Sequence, residues 1–179
     1  MTYQDELEQT VAATATQVTA AVAAYEAGAI DAEALAAIVA AFIAAGNGAA
    51  ATLADLSLAA ALTVSLRTPV APLGITRPAD DADRLTKAAH TLLSMENASL
   101  ARWERLARAE GQEAAARAYS EGITRSRHVT GWRRGISGSA CQLCRWWSRG
   151  GQVWPDSHPM PTHKGCTCHP DPVVKGSAA

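Results

Sequence analysis

Four cysteines and one histidine near the C-terminus carry the clearest chemistry in the chain. Cys141-Gln-Leu-Cys144 is a CxxC pair, and after eighteen intervening residues His163-Lys-Gly-Cys166-Thr-Cys168 supplies a second cluster. A CxxC in a tight turn aims two thiolates at one point. His163 and Cys166 repeat that i, i+3 spacing, and Gly165 allows the sharp turn between them. Two such half-sites at finger-like separation predict tetrahedral N/S coordination of one Zn2+ ion. The donors number five, Cys141, Cys144, His163, Cys166 and Cys168, whereas a closed structural site takes four. Cys141 and Cys144 are expected to fill two places, and two of the other three the rest. Cys166 and Cys168 are two apart, so in an extended segment they would point the same way. His158 and His169 lie beside prolines and read as loop residues.

The chemistry expected of this site is structural. A catalytic zinc keeps an open position for water and a general base close by. Here the donors are in excess and Asp156 is the nearby acid, so no enzymatic activity is expected. A thioredoxin-like CxxC would sit among alternating strands and helices, and none surround this one. A nuclease of the His-Asn-His type would need further Asn and His after Asp156-Ser-His158-Pro159, and none follow at suitable spacing. The N-terminal MTYQDELEQ lacks the basic and apolar regions of a secretory signal, so the thiols are expected to be reduced and free for metal.

The elements that must position this site read as mainly α. Leu7, Val11, Val18, Val22 and Tyr25 fall on one helical stripe over residues 4–26, with Gly28 placed to end it. Asp31 is an N-cap, followed by the stripe Leu35, Ile38 and Phe42, which is expected to close at Gly46-Asn47-Gly48. A third helix shows two stripes, Leu53, Leu56 and Ala60 on one side and Leu58, Leu62 and Leu66 on the other, so it is expected to lie between neighbours. Ala34–Ala54 is uncharged and long enough to cross a bilayer. Its alanine content and the Gly-Asn-Gly interruption predict a buried helix pair instead, with no membrane partner. Pro69, Pro72, Gly74 and Pro78 make residues 67–80 a linker. Asp80 or Asp81 can cap a long helix carrying Leu85, Ala89, Leu92, Leu100, Trp103 and Leu106, which Gly111 would break or bend. The chain thus divides into an acidic alanine-rich helical region (1–66), the linker (67–80), a long helical region (81–130) and a small irregular Cys/His zinc-binding module (131–179). The helices are expected as a bundle or as extended rods. The last module has too few aliphatic residues for its own core. Zinc, worth on the order of 10 kcal/mol of apparent folding free energy, and packing by Trp146, Trp147 and Trp154 are expected to hold it.

Charge is split along the chain. Met1 to Leu66 holds seven acids and no Lys or Arg, whereas Arg117 to Gly150 holds seven arginines and one acid, Glu121. Such a split predicts different partners for the two ends. Arg125, Arg127, Arg133, Arg134, Arg145 and Arg149, interleaved with tryptophans, could contact phosphates, stacked bases or an acidic protein face.

The stretch from about His128 to Pro172 contains RHVTGWRRG, ACQLCRWWSRGGQVW and HKGCTCHPDPV. Its basic lead-in (Arg133, Arg134), its Cys141 and Cys144, its Gly150, and its His163, Cys166, Cys168 and Pro170 resemble the C-terminal signature of the Mu F-like minor capsid (head morphogenesis) proteins of tailed bacteriophages, especially the actinobacteriophage type. The resemblance implies a structural virion protein made in few copies in the host cytoplasm. It implies a place inside the head near the portal, in an oligomeric assembly, with the portal or major capsid protein and packaged DNA as partners. A zinc-dependent nucleic-acid-binding module without a virion role is the alternative, and a metal- or thiol-dependent enzyme the more distant one.

Overall fold

A computed structural model of the protein describes residues 2–76, 81–136, 138 and 140–175. Helix α1 (Tyr3–Glu26) opens on a reciprocal cap: the Asp5 amide donates to the Thr2 hydroxyl at 3.2 Å and the Thr2 amide to the Asp5 carboxylate at 2.8 Å. It ends as expected, with Gly28 in the left-handed region at φ 73°. Asp31 then caps α2 (Ala32–Leu66), accepting the Ala34 amide at 2.8 Å.

The expected stop at Gly46-Asn47-Gly48 does not occur, and α2 runs unbroken for 35 residues. The two helices expected on either side of it are one. Gly46 faces α1, where an added Cβ would lie 2.3 Å from Thr14 Oγ1. The glycine therefore serves close helix approach, and the alanines on both sides favour helix strongly enough to carry the backbone through. Asn47 is buried, and its side-chain amide donates to the Asp81 carboxylate at 2.8 Å.

After α2, Arg67 turns the chain at φ 53°, and residues 67–76 are non-helical, as Pro69, Pro72 and Gly74 require. Pro78 and the candidate cap Asp80 lie outside the described residues. The strap is tied down by Asp55, a buried carboxylate in the middle of α2. Asp55 accepts three consecutive backbone amides, those of Leu73 (2.9 Å), Gly74 (2.7 Å) and Ile75 (3.1 Å). Ile75 itself enters the core beside Leu58 and Gly122.

The single long helix expected after the linker is two. Helix α3 (Asp81–Leu93) begins at Asp81 itself and α4 (Leu100–Arg125) follows a break at 94–99. Gly111 does not interrupt α4. It lets α1 approach closely, because an added Cβ would lie 2.7 Å from Val11 Cγ1.

Two apolar clusters fill the bundle. One gathers Val18, Val22, Leu35, Val39, Ile43, Leu85 and Trp103 from the four helices. The other joins Leu7, Val11, Leu58, Leu62, Tyr119 and Ile123 to Val129, Trp132, Met160 and Val174 from the C-terminal region. That region is more regular than expected. Strand β1 (Val129–Gly135) pairs antiparallel with β2 (Trp154–Pro155) on one side and β3 (His169–Val174) on the other. Pro170 and Pro172 are tolerated because β3 is an edge strand. The sheet thus shares the bundle's core instead of needing its own.

The architecture is mainly α, with five helices among the described residues and a C-terminal Cys/His cluster that could bind a metal ion. Helix α2 is long and apolar enough to cross a membrane, but half of its most apolar stretch is covered by protein. With the Gly-Asn-Gly interruption gone, that cover and the buried polar Asn47 and Asp55 are what favour a core helix.

Candidate metal centre

The CxxC sits at the start of a short helix, α5 (Gln142–Ser148), which Cys141 precedes as N-cap. One turn of helix puts Cys144 on the same side as Cys141. The second half-site is a turn in which the Cys166 amide donates to the His163 carbonyl at 3.0 Å, with Gly165 left-handed at φ 81°. This is the turn that the glycine's position predicts.

All five expected donors come together. His163 Nε2 lies 3.2 Å from Cys141 Sγ and 3.2 Å from Cys144 Sγ. Cys144 Sγ lies 3.5 Å from Cys166 Sγ. Two donor triads result, Cys141–Cys144–His163 and Cys144–Cys166–Cys168, each with its donor atoms within 4.8 Å of one another. Cys144 belongs to both. Tetrahedral coordination at a Zn–S length of about 2.3 Å sets donors about 3.8 Å apart, and the separations within each triad are of that order. His163 Nδ1 lies 3.0 Å from the Lys164 carbonyl. A proton on Nδ1 donated there leaves the Nε2 lone pair facing the sulfurs, the orientation that a metal-binding histidine needs. The donor set therefore fits a soft divalent ion.

The electrostatics differ across the cluster. The Cys144 amide faces the Cys141 sulfur without completing a capping hydrogen bond. With smaller help from the Leu143 amide and His163, it holds the exposed Cys141 thiol below its ordinary pKa. Burial pushes Cys144 up to about 11. Cys166 is pushed up by its hydrogen bond with Cys168 and by burial. A metal entering here must displace protons from the buried thiols that it binds, so its binding strengthens as pH rises. Arg134 Nη1 lies 3.8 Å from Cys144 Sγ, while its other nitrogen donates to the Pro161 carbonyl and its guanidinium covers the Trp147 ring at 5.2 Å. A positive charge there favours thiolates.

Arg134 therefore departs from the expectation of a partner-binding role, because it is 4% exposed and engaged inside the module. Arg133, its neighbour on β1, is half-buried. Arg125, Arg127, Arg145 and Arg149 are exposed. Arg125 pairs with Glu121 at 2.9 Å, and Arg149 lies over the Trp154 ring at 5.8 Å.

The tryptophans divide too. Trp147 tilts against His163, with ring centres 6.0 Å apart. Trp154 instead stacks with Trp132 and with His158, away from the cysteines, and Trp146 is 67% exposed. His158 and His169 are not among the converging donors. His169 Nδ1 meets Gln4 Nε2 at 2.9 Å and its Nε2 meets Asp171 at 2.8 Å, which ties the start of α1 to β3. Sequence reasoning missed the role of Arg134, whose only signal is an arginine in a segment that the apolar pattern does not mark as buried. No family model, curated protein or solved structure matches this chain.

Proposed function

We propose that this chain is a minor head protein of a tailed bacteriophage, of the Mu F-like kind, whose C-terminal loops fold around one structural Zn2+. The observation that carries the proposal is the meeting of Cys141, Cys144, His163, Cys166 and Cys168 in one cluster, in the order of the signature that the chain resembles. Cys141, Cys144, His163 and Cys166 are the four ligands. The aim of His163 Nε2 and the Cys144–Cys166 contact support that choice, and Cys168 backs the site from the interior. The module is structural, and its partners are the portal or major capsid protein and, inside the head, packaged DNA.

Two measurements test this. Mass spectrometry of purified particles should find the chain, and its absence from them removes the virion role. Metal analysis should find about one zinc per chain. The Co2+-substituted protein should show the absorption of a tetrahedral site with three thiolates and one imidazole, and Cys168→Ser should keep that spectrum while Cys144→Ser abolishes binding. A metal-free, fully folded chain would end the zinc proposal.

A nucleic-acid-binding module is the second reading. It is favoured by one observation, the exposed Trp146 flanked by exposed Arg145 and Arg149 on and just after α5. A salt titration of DNA binding decides it. A steep fall in affinity with salt supports backbone contact, whereas an absence of binding at low salt excludes it.

A further inference from the structure

A groove runs between α3 and α4 and ends against the turn that joins His163 to Cys166. Ala88 and Leu92, spaced i, i+4, line the α3 wall with Met95 just past its end, and Leu106 and Ala109 line the α4 wall. The groove is a cavity of about 500 Å³; a second cavity of about 370 Å³, on α4 and the 164–165 turn, adjoins it through Arg105, Ala109 and Lys164. Arg102 and Arg105 stand on one edge, and Lys164 closes the end. All three are exposed, and among the described residues no carboxylate pairs with them. The acids that line the two cavities are taken: Glu110 binds Arg84 at 2.6 Å and Glu104 binds Arg108 at 3.0 Å.

We propose that this groove docks an acidic amphipathic helix from a partner protein. Two apolar helix faces with an open space between them accept a third helix in the helix-in-groove manner. At 1.5 Å per residue, the α4 wall from Arg102 to Glu110 offers about 12 Å, room for roughly two turns. The docked helix would lay an apolar stripe on Leu92 and Leu106 and set carboxylates against Arg102, Arg105 and Lys164. Met95 is 40% exposed, and its thioether touches Arg102 at 3.1 Å. A flexible, polarizable side chain at this place suits an adaptable contact. A nucleic-acid backbone fits less well, because it wants a track of cations and stacking surfaces, and here aliphatic walls separate the cations.

The contribution of Lys164 rests on the zinc reading, since it stands between two proposed ligands. Arg102 and Arg105 stand on α4 and do not depend on it.

The test uses the full chain and a fluorescein-labelled helical peptide of about 14 residues, with leucines at i, i+4, i+7 and glutamates flanking them. A second peptide carries lysines for the glutamates, and a single-stranded oligonucleotide serves as the third probe. The glutamate peptide should bind saturably and shift the methyl resonances of Leu92, Met95 and Leu106. The lysine peptide and the Arg105→Glu protein should each lose on the order of tenfold in affinity, with the circular dichroism of the variant unchanged. Equal binding of the two peptides, no saturable binding, or methyl shifts produced by the oligonucleotide and not by the peptide overturns the proposal. Chelator-treated protein should match Lys164→Ala, a loss of a few-fold. If the chain binds no zinc, the chelator changes nothing, and the Arg105→Glu arm still decides the groove on its own.

Discussion

Replacing Asp55 with alanine should destabilise the fold by about 4 kcal/mol, far more than a polar-to-alanine change in a helix ordinarily costs. The carboxylate is 4% exposed and accepts the amides of Leu73, Gly74 and Ile75. A hydrogen bond to a charged group is worth about 1.5–3 kcal/mol net when it is shielded. The Ile75 bond is buried, so it is assigned about 2 kcal/mol. The Leu73 and Gly74 amides lie in an exposed stretch and can find water after the change, so each is assigned about 1 kcal/mol. The total is a sizeable part of the roughly 5–15 kcal/mol typical of a whole domain. Urea denaturation followed by helical circular dichroism measures it, and limited proteolysis should show new cleavage within residues 67–76. Asp55→Asn keeps the shape but turns an amino group towards donors and removes the charge, so it should recover less than half of the loss. A loss under about 1 kcal/mol for the alanine variant would mean that the strap is held by Ile75 and the prolines alone, and that the carboxylate is incidental.

Three further outcomes follow from the same contacts. Chelation should remove hydrogen-exchange protection from α5 and the 163–168 turn while β1 and β3 keep theirs, because Val129, Trp132 and Val174 belong to the bundle's core; loss of protection across the whole sheet would contradict this. Gly46→Ala should lower stability by about 1–3 kcal/mol through its clash with Thr14, despite gaining about 1 kcal/mol of helix propensity, and Thr14→Ala in the same chain should restore part of it. For Asp81, burial alone would raise the pKa, but its hydrogen bonds from Asn47 and Arg84 outweigh it and hold the carboxyl below 3.8. Its folded pKa is thus below its unfolded one, so its contribution is present above the unfolded value and lost as pH falls through the folded value. Urea midpoints of Asp81→Asn and the parent chain should therefore differ at pH 7 and converge as pH drops below about 4.

Local signals were legible in the sequence wherever chemistry is local. Asp31, Gly28 and the proline strap act through their own backbone, and each does what its type dictates. The five donors are legible for the same reason, since thiolate and imidazole spacing is set by short turns. What was not legible depends on partners distant in sequence. Gly46 and Gly111 look like helix breakers until α1 is placed against them. Asp55 looks like a stray charge in an apolar helix until the strap folds back on it. The break between α3 and α4 had a weak signal in Ser94, Asn97 and Ser99, residues that favour caps and turns, and the apolar spacing on both sides outvoted it. The strands were hidden because β1 is buried on both faces in places, so its apolar residues do not alternate, and because β3 carries two prolines that only an edge strand tolerates.

The charge split along the chain does not become a split in space. The start of α1 lies against β3, through Gln4 and His169 and through the edge-to-face contact of Tyr3 with Tyr119. Glu8 of α1 pairs with Arg108 of α4. The acidic N-terminal helix is therefore partly neutralised within the molecule, next to the module that carries the Cys/His cluster. An assembly in which one end of a rod meets protein and the other meets DNA does not fit that placement. Among the exposed cations of the described residues that no carboxylate partners are Arg145 and Arg149 around Trp146, and Arg102, Arg105 and Lys164 around the α3–α4 groove. Both sets adjoin the cysteine cluster, through α5 in one case and through Lys164 in the other. A metal bound there would order α5 and the 163–166 turn together. Partner binding at the Trp146 surface would then depend on metal, and binding at the groove only through Lys164, while the helical bundle beneath would not.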